Sequence, residues 1–139
     1  MNLTFDFNNP TRILFGCGTL DLLGKQDLPG KKALVLLSNG KSARVSGALD
    51  RTLAQLAQAG VETVLFDKVM ENPVREMVME GAAAARDNGC DFLLALGGGA
   101  VLDSSVAIAA MATNEGDLWD YVVGGTGKGK TLPNPGLPI

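Results

Sequence analysis

The chain has 139 residues, a net charge of −3 and no histidine. Its length fits a single domain, and a composition with 46% hydrophobic and 19% charged residues argues against disorder. The acidic charge balance argues against a nucleic-acid partner held by bulk positive charge. The absence of histidine excludes imidazole catalysis and histidine-ligated metals within this chain.

The cysteine usage and the apolar segments bear on the compartment of the protein. Cys17 and Cys90 form no CxxC pair, so we expect reduced, partly buried thiols in a cytoplasmic protein rather than a disulfide framework or a zinc site. The N-terminus lacks a basic region followed by an apolar run. The weakly charged stretch 92–114 is broken by three glycines and a serine pair, which argues against a membrane span.

The first predicted element is a β-hairpin, with strands at 3–7 and 12–15 around Asn8-Asn9-Pro10. The backbone groups at its exposed edge motivate the hypothesis that two copies of the chain form a homodimer there.

Three apolar runs follow, at 33–37, 61–66 and 92–96, with centres about thirty residues apart. This spacing is typical of strands joined by crossover helices, and continuous apolar runs indicate burial on both faces of a parallel sheet. We therefore predict an α/β fold in which a parallel sheet has flanking helices.

Three helices are predicted between and after the strands. Leu49, Leu53, Leu56 and Ala57 mark the first, which Gly60 ends. The second is predicted to begin at Asn72-Pro73 and to end at Gly89, with one apolar face that comprises Val74, Met77, Val78, Gly81, Ala82 and Ala85. The third, at 100–112, is apolar nearly all round, so we expect it to pack on more than one side.

The last residues cannot form a helix because Pro133, Pro135 and Pro138 interrupt them. The ending at 137–139 reads as the approach to a further strand. We therefore expect the chain to be the front part of a larger protein.

The strongest candidate site lies where the third apolar run meets Gly97, Gly98 and Gly99 and then a helix. Glycines let the backbone approach a ligand closely, and a helix N-terminus favours a phosphate or pyrophosphate. The other interpretation is a tight turn that needs close packing and binds nothing.

Two further features lie near this turn. Asp103, placed in the first turn of the helix, either complements the helix dipole or accepts hydrogen bonds from a ligand. The loop that contains Ser38, Asn39, Gly40 and Lys41 carries no acid, so it would tolerate a 2′-phosphate that a carboxylate repels, unless it is an ordinary surface turn.

A second glycine motif is set aside. Residues 124–131 match the phosphate-loop pattern GxxxxGK[ST] letter for letter. Such a loop must open a helix, yet the prolines that follow prevent one. We interpret it as a flexible, lysine-bearing glycine loop.

Several of these segments together resemble the iron-containing (group III) alcohol dehydrogenases. They are Phe15-Gly16-Cys17-Gly18, Glu71-Asn72-Pro73, the run from Cys90 to Asp103, and the tail from Leu132 to Ile139. The resemblance implies that residues 1–139 form an N-terminal, Rossmann-like NAD(P)-binding domain. A following helical domain would hold a divalent metal, iron or zinc, on one aspartate and three histidines that this chain lacks.

The resemblance also implies roles for individual residues. Gly97, Gly98, Gly99 and Ala100 would contact the pyrophosphate, Asp103 would lie near the nicotinamide and substrate, and Asn72 would line the cofactor cleft. Ser38 stands where NAD-preferring members carry an aspartate, so Ser38, Asn39, Gly40 and Lys41 suggest NADP, with NAD as the alternative. The chain departs from the family pattern GGGSxxDxxK at two positions, Ala100 and Val106.

The implied function is hydride transfer between NADP(H) and a small alcohol–aldehyde pair. No catalytic residue is assigned in this chain, which alone is expected to be inactive. The alternatives are an α/β nucleotide- or phosphate-binding module without redox activity, and a related metal-dependent glycerol dehydrogenase or maleylacetate reductase.

Overall fold

The computed structural model describes residues 4–8 and 10–139. Its sheet consists of β1 (Lys32–Ser38), β2 (Glu62–Val69) and β3 (Phe92–Ala95). β1 pairs in parallel with both of the others, so the order across the sheet is β2-β1-β3. The predicted parallel sheet at the three apolar runs is thus confirmed.

Short helical segments and long helices connect and follow the strands. A 3₁₀ helix at Thr19–Lys25 precedes β1. The α-helices are α1 (Ser42–Val45), α2 (Ala48–Gln58), α3 (Arg75–Asp87), α4 (Gly99–Thr113) and α5 (Leu118–Tyr121).

The two faces of β1 belong to two separate apolar clusters because side chains alternate along a strand. Leu34 and Leu36 face α3 and α4, whose buried residues complete one cluster. Val35 and Leu37 face the other way and pack with α2 residues such as Leu56. The sheet is therefore covered by helices on both sides.

β2 is the exception to this coverage. The flanking helices bury only Phe66 and Val69 of this outer strand, and Leu65 remains 43% exposed. The expectation that all three runs are buried on both faces was therefore wrong for β2, because an edge strand is covered on fewer sides than a central one.

The predicted helix ends are confirmed, whereas one predicted start is wrong. Gly60 and Gly89 have positive φ angles of 70° and 61° just after α2 and α3, a conformation that favours glycine. α3 does not begin at Asn72-Pro73: Val74 is its N-cap, in extended conformation and with no side-chain cap. The extended backbone of Val74 keeps Pro73 outside the helix, so α3 starts two residues later than predicted.

The buried faces of the helices follow the predicted periodicity with three changes. α3 buries Met77, Val78, Gly81, Ala82 and Ala85 as predicted, whereas Val74 lies before the helix and is exposed. In α2, Thr52 joins the buried face and Ala57 is exposed.

α4 packs on more than one side, as predicted. Ile108 and Met111 are fully buried in the cluster with α3. On another side the tail crosses the helix, where the Leu137 N–H donates to the Ala109 carbonyl at 3.1 Å. The Leu93 N–H of β3 donates to the Pro138 carbonyl at 2.9 Å, so the tail lies beside β3, in agreement with the predicted approach to a further strand.

The described residues of the predicted N-terminal hairpin form no paired strands. The described residues before position 19 contain no strand, and Leu3 and Asn9 lie outside the described residues. Phe5, Phe7 and Phe15 are exposed. A two-stranded ribbon without a layer packed on it is marginally stable, and alternating apolar residues alone do not supply that layer.

The cysteines differ in environment. Cys90 is buried, and its burial raises the pKa of its thiol. Cys17 is exposed beside Gly18 at the start of the 3₁₀ helix, so the expectation of partial burial was wrong there. Among the described residues, no helix combines the length and apolar character needed to cross a membrane.

The central position of β1 predicts a difference between two leucines. Leu36→Ala should lower the free energy of unfolding by about 2–5 kcal/mol because it leaves a cavity at a fully buried site. Leu65→Ala on β2 is the matched control and should cost about 1 kcal/mol or less. Urea unfolding measures both, and equal losses would contradict the strand order.

Candidate functional site

Two adjoining clefts lie at the carboxyl ends of the strands. The first has a volume of about 430 Å³ and lies between the loop after β1 and the turn after β3. Ser38, Ser42 and Ser46 line one side, and Gly97 and Gly98 line the other. Ligands of open α/β sheets bind at this place, where the chain leaves neighbouring strands in opposite directions.

The second cleft, of about 240 Å³, lies on the other side of Ser38. Met70 and Glu71 after β2 line it, together with Gly98 and Gly99. Ser38 and Gly98 line both clefts, so the two spaces adjoin across the ends of β1 and β3.

The space around the three glycines of the turn differs, so glycine is needed at these positions for different physical reasons. A Cβ on Gly97 would lie 2.5 Å from the Val101 Cγ2, so packing alone requires glycine there. A Cβ on Gly98 or on Gly99 would meet nothing within 4 Å, and neither has a positive φ. The tight-turn interpretation therefore explains Gly97, and it leaves Gly98 and Gly99 unexplained.

The start of α4 suits an anion. Gly98 is its N-cap, with no side-chain cap, and its carbonyl accepts from the Val101 and Leu102 N–H groups at 3.0 and 3.1 Å. No acidic residue lies in the first turn. The first turn of α4 therefore offers no carboxylate to offset its partial positive charge, which faces the space beside two glycines that carry no side chain. Among the described residues, Glu71 is the one acidic residue in the lining of the two clefts.

Asp103 lies in the second turn of α4, not in the first. The helix begins at Gly99, one residue earlier than predicted, so the interpretation of Asp103 as a first-turn complement of the dipole is wrong. Its side chain is exposed, on the same stripe of α4 as Leu102 and Val106, which are 50% and 63% exposed.

The loop after β1 is anchored to β2. Ser38 pairs with Val69 after a register shift, and the Asn39 N–H donates to the Val69 carbonyl at 2.9 Å. Gly40 and Lys41 follow, both exposed, and Lys41 is the N-cap of α1. None of the residues that line the first cleft is acidic.

Asn72 is exposed and follows Glu71, which lines the second cleft. No site role was predicted for Glu71, Ser42 or Ser46, which line the two clefts. Their position just after the carboxyl ends of β2 and β1 is the signal that could have identified them.

The glycine–lysine motif does not form a phosphate loop. The Lys128 and Lys130 ammonium groups contact the Asp120 carboxylate at 2.6 and 3.3 Å. The described residues after Thr131 contain no helix. The described chain therefore lacks the helix that a phosphate loop of this pattern must open.

The described residues contain no group of three or more His, Cys, Asp or Glu side chains that could hold a metal ion. The donors that the described chain brings together at the clefts are backbone N–H groups and serine hydroxyls, which suit an anionic ligand.

The comparisons with known proteins agree with this geometry. The family model of iron-containing alcohol dehydrogenases matches residues 10–139. A 1,3-propanediol dehydrogenase of Klebsiella pneumoniae is 39% identical over 97% of this chain and 34% of its own length. A probable NADH-dependent butanol dehydrogenase of Bacillus subtilis is 39% identical over the same shares of the two chains. An NADPH-dependent aldehyde reductase of Escherichia coli is 37% identical over 78% of this chain and 27% of its own.

The fold is also found in solved structures. An NADH-dependent butanol dehydrogenase of Thermotoga maritima superposes with a TM-score of 0.85 and 32% identity, over 97% of this chain and 33% of the other. The fold and the site define an α/β, Rossmann-like domain, as the resemblance implied. The chain belongs to the iron-containing alcohol dehydrogenase family. It spans about a third of the length of the relatives that match most of it.

The different reasons for the glycines predict different stability effects. Gly97→Ala should lower the free energy of unfolding by about 1–3 kcal/mol because the new methyl group overlaps with Val101. Gly98→Ala should change it by about 0.5 kcal/mol or less because the space is open. Thermal or urea unfolding of both variants checks this, and an equal loss would mean that packing explains both glycines.

Proposed function

We propose that residues 1–139 form one NAD(P)-binding domain, which supplies the cofactor site of an alcohol dehydrogenase. The observation that carries this proposal is the open space beside Gly98 and Gly99 at the uncapped start of α4. A side chain at either position would enter the clefts. Glycine at both positions is therefore explained if a ligand occupies the clefts.

The pyrophosphate of the cofactor would lie against Gly97, Gly98 and Gly99, with Ala100 in the first turn of α4. Backbone N–H groups would donate to the phosphate oxygens, and the helix dipole would favour their negative charge. Ala100 offers no hydroxyl, so the backbone carries this contact.

The adenosine end would lie over the loop that contains Ser38, Asn39, Gly40 and Lys41. The first cleft has no acidic lining that would repel a 2′-phosphate. Lys41, which is exposed and precedes the cleft residue Ser42, carries a positive charge that could reach such a phosphate. We therefore propose NADP as the preferred cofactor. The names of the relatives include both NADH and NADPH dependence.

The nicotinamide end would lie toward Asp103 and Asn72. The exposed Asp103 carboxylate can accept a hydrogen bond from an amide or a hydroxyl group. Asn72 continues the segment after β2 whose Glu71 lines the second cleft.

When bound, the cofactor supplies hydride transfer between an alcohol and its aldehyde. The residues of this chain bind and orient the dinucleotide. The divalent metal, iron or zinc, would be held by a helical domain in the complete enzyme, and we assign no step to it here. Turnover is not expected from this chain alone.

The exposed N-terminal segment supports a homodimer. Phe5, Phe7, Ile13 and Phe15 are each more than 70% exposed, an apolar surface that a second copy could cover. This apolar surface, and not the edge of a hairpin, is the observation that supports the dimer. A mass of one chain by light scattering would contradict the dimer.

Calorimetric titration of NADPH, NADH and ATP tests the proposed site. NADPH should bind more tightly than NADH, and ATP should not bind. Gly98→Val should weaken NADPH binding by about ten-fold or more, a loss of about 1.4 kcal/mol, because the side chain fills the cleft. Lys25→Met, in the 3₁₀ helix before β1 and outside the lining of both clefts, is the control and should leave binding unchanged.

Each contrary outcome has a distinct meaning. Tighter NADH binding would contradict the NADP preference and keep the site. ATP binding that Lys130→Met abolishes would assign the nucleotide to the glycine–lysine motif. NADPH binding that survives Gly98→Val would contradict the proposed site.

A further inference from the structure

The glycine–lysine motif is part of a self-contained flap, which we define as residues 116–130. The Lys128 and Lys130 N–H groups donate to the Trp119 and Asp120 carbonyls at 3.1 and 2.9 Å. Gly127 has no room for a side chain, since a Cβ there would overlap with the Val122 carbonyl. The glycines of the motif therefore let the flap fold back on α5.

Three charged side chains of the flap form ion pairs with one another. Asp120 accepts from both Lys128 and Lys130, and the hydrogen bond from Lys128 is the main cause that lowers the pKa of this carboxyl. The Trp119 indole N–H donates to the Thr126 hydroxyl at 2.8 Å. These contacts hold α5 in one orientation.

That orientation presents Asp117 to the body of the domain. Asp117 is the N-cap of α5, and its Oδ1 accepts from the Trp119 N–H at 2.8 Å. The same Oδ1 accepts from Arg75 Nε at 2.7 Å, and Oδ2 accepts from Arg75 Nη2. This two-point pairing lowers the pKa of Asp117 and raises that of Arg75.

Arg75 is the first residue of α3, a position where a cation is unfavourable because the helix dipole is positive there. Helix stability therefore does not account for an arginine at this place. The pairing with Asp117, 42 residues further along the chain, does.

The segment before Arg75 forms the wall of the second cleft. Met70 and Glu71 line that cleft, and within the described part of the chain no hydrogen bond holds residues 71–73. The segment is fixed at one end by Val69, which pairs with Ser38. At the other end the Val74 carbonyl accepts from the Val78 N–H at 3.2 Å, and the Arg75 side chain adds the contact with Asp117.

We propose that Arg75 is a positioning residue, which through its ion pair with Asp117 holds the Met70–Glu71 wall of the second cleft in place. The contacts of Lys128 and Lys130 with Asp120 hold α5, and with it Asp117, in the orientation that this pair needs. The effect on nucleotide affinity rests on the proposed function, whereas the effect on the wall does not.

Asp117→Asn and Arg75→Gln test this inference, alone and together, in the full chain. Asparagine keeps the side-chain oxygen that caps α5, so Asp117→Asn removes the charge and spares the cap. The matched control is Asp21→Asn, which removes the charge from a more exposed ion pair, Arg51–Asp21, between the 3₁₀ helix and α2.

The first readout is the ¹⁵N order parameter of Glu71, Asn72 and Val74 without any nucleotide. Both single variants should lower it from about 0.85 toward about 0.6, while β1 amides keep their values. The double variant should lower it no further than Arg75→Gln does, since both changes break the pair with Asp117 and only Arg75→Gln also removes the exposed contact with Glu76. Asp21→Asn should not change it.

The second readout is NADPH affinity by calorimetry. Loss of an exposed pair should weaken binding by about two- to five-fold in both single variants and leave it unchanged in Asp21→Asn. Order parameters at residues 71–74 that match the control, or that fall further in the double variant, would overturn the positioning role. If the unaltered chain binds no nucleotide, the proposed function fails and the order parameters still decide the role of Arg75.

Discussion

The position of β1 between β2 and β3 is the constraint on which the site depends. The chain leaves β1 through α1 and α2 on one face, and it returns from β2 through α3 on the opposite face to reach β3. Right-handed crossovers to the two sides of a central strand require this change of face. The connections after β1 and β3 therefore diverge, and the gap between Ser38 and Gly98 follows from topology before any side chain is specified.

The glycines adapt that gap to an anion. Gly97 allows the strand to turn into α4 against Val101, whereas Gly98 and Gly99 leave the space in front of the helix end empty. The positive end of α4 then faces a cleft without an acidic first turn, which is the physical basis for a pyrophosphate site. The flap contacts Arg75 through Asp117, and we propose that this contact holds the Met70–Glu71 wall of the second cleft.

The sequence predicts the parts of the fold that depend on local pattern. Continuous apolar runs predict the strands because parallel strands are buried, and Gly60 and Gly89 predict helix ends because their backbone is left-handed. It does not predict the exposed outer side of β2, which depends on strand order. The described N-terminal residues form no hairpin because no layer of the domain packs on them. The start of α3 at Arg75 depends on the extended backbone of Val74, which no local pattern predicted. The Arg75–Asp117 pair joins residues that no local pattern connects. The turn around Gly98 is predicted from sequence, and the roles of its residues stay predictions.

Chemical-shift mapping by NMR during an NADPH titration tests the cofactor site most directly. The amide signals that change their chemical shift should be those of residues 97–100 after β3 and of residues 38–41 after β1. The amide signals of residues 124–130 in the flap should keep their chemical shifts. Shifts confined to the flap, or no shifts at the carboxyl ends of β1 and β3 at saturating NADPH, would contradict a dinucleotide site at the centre of this sheet.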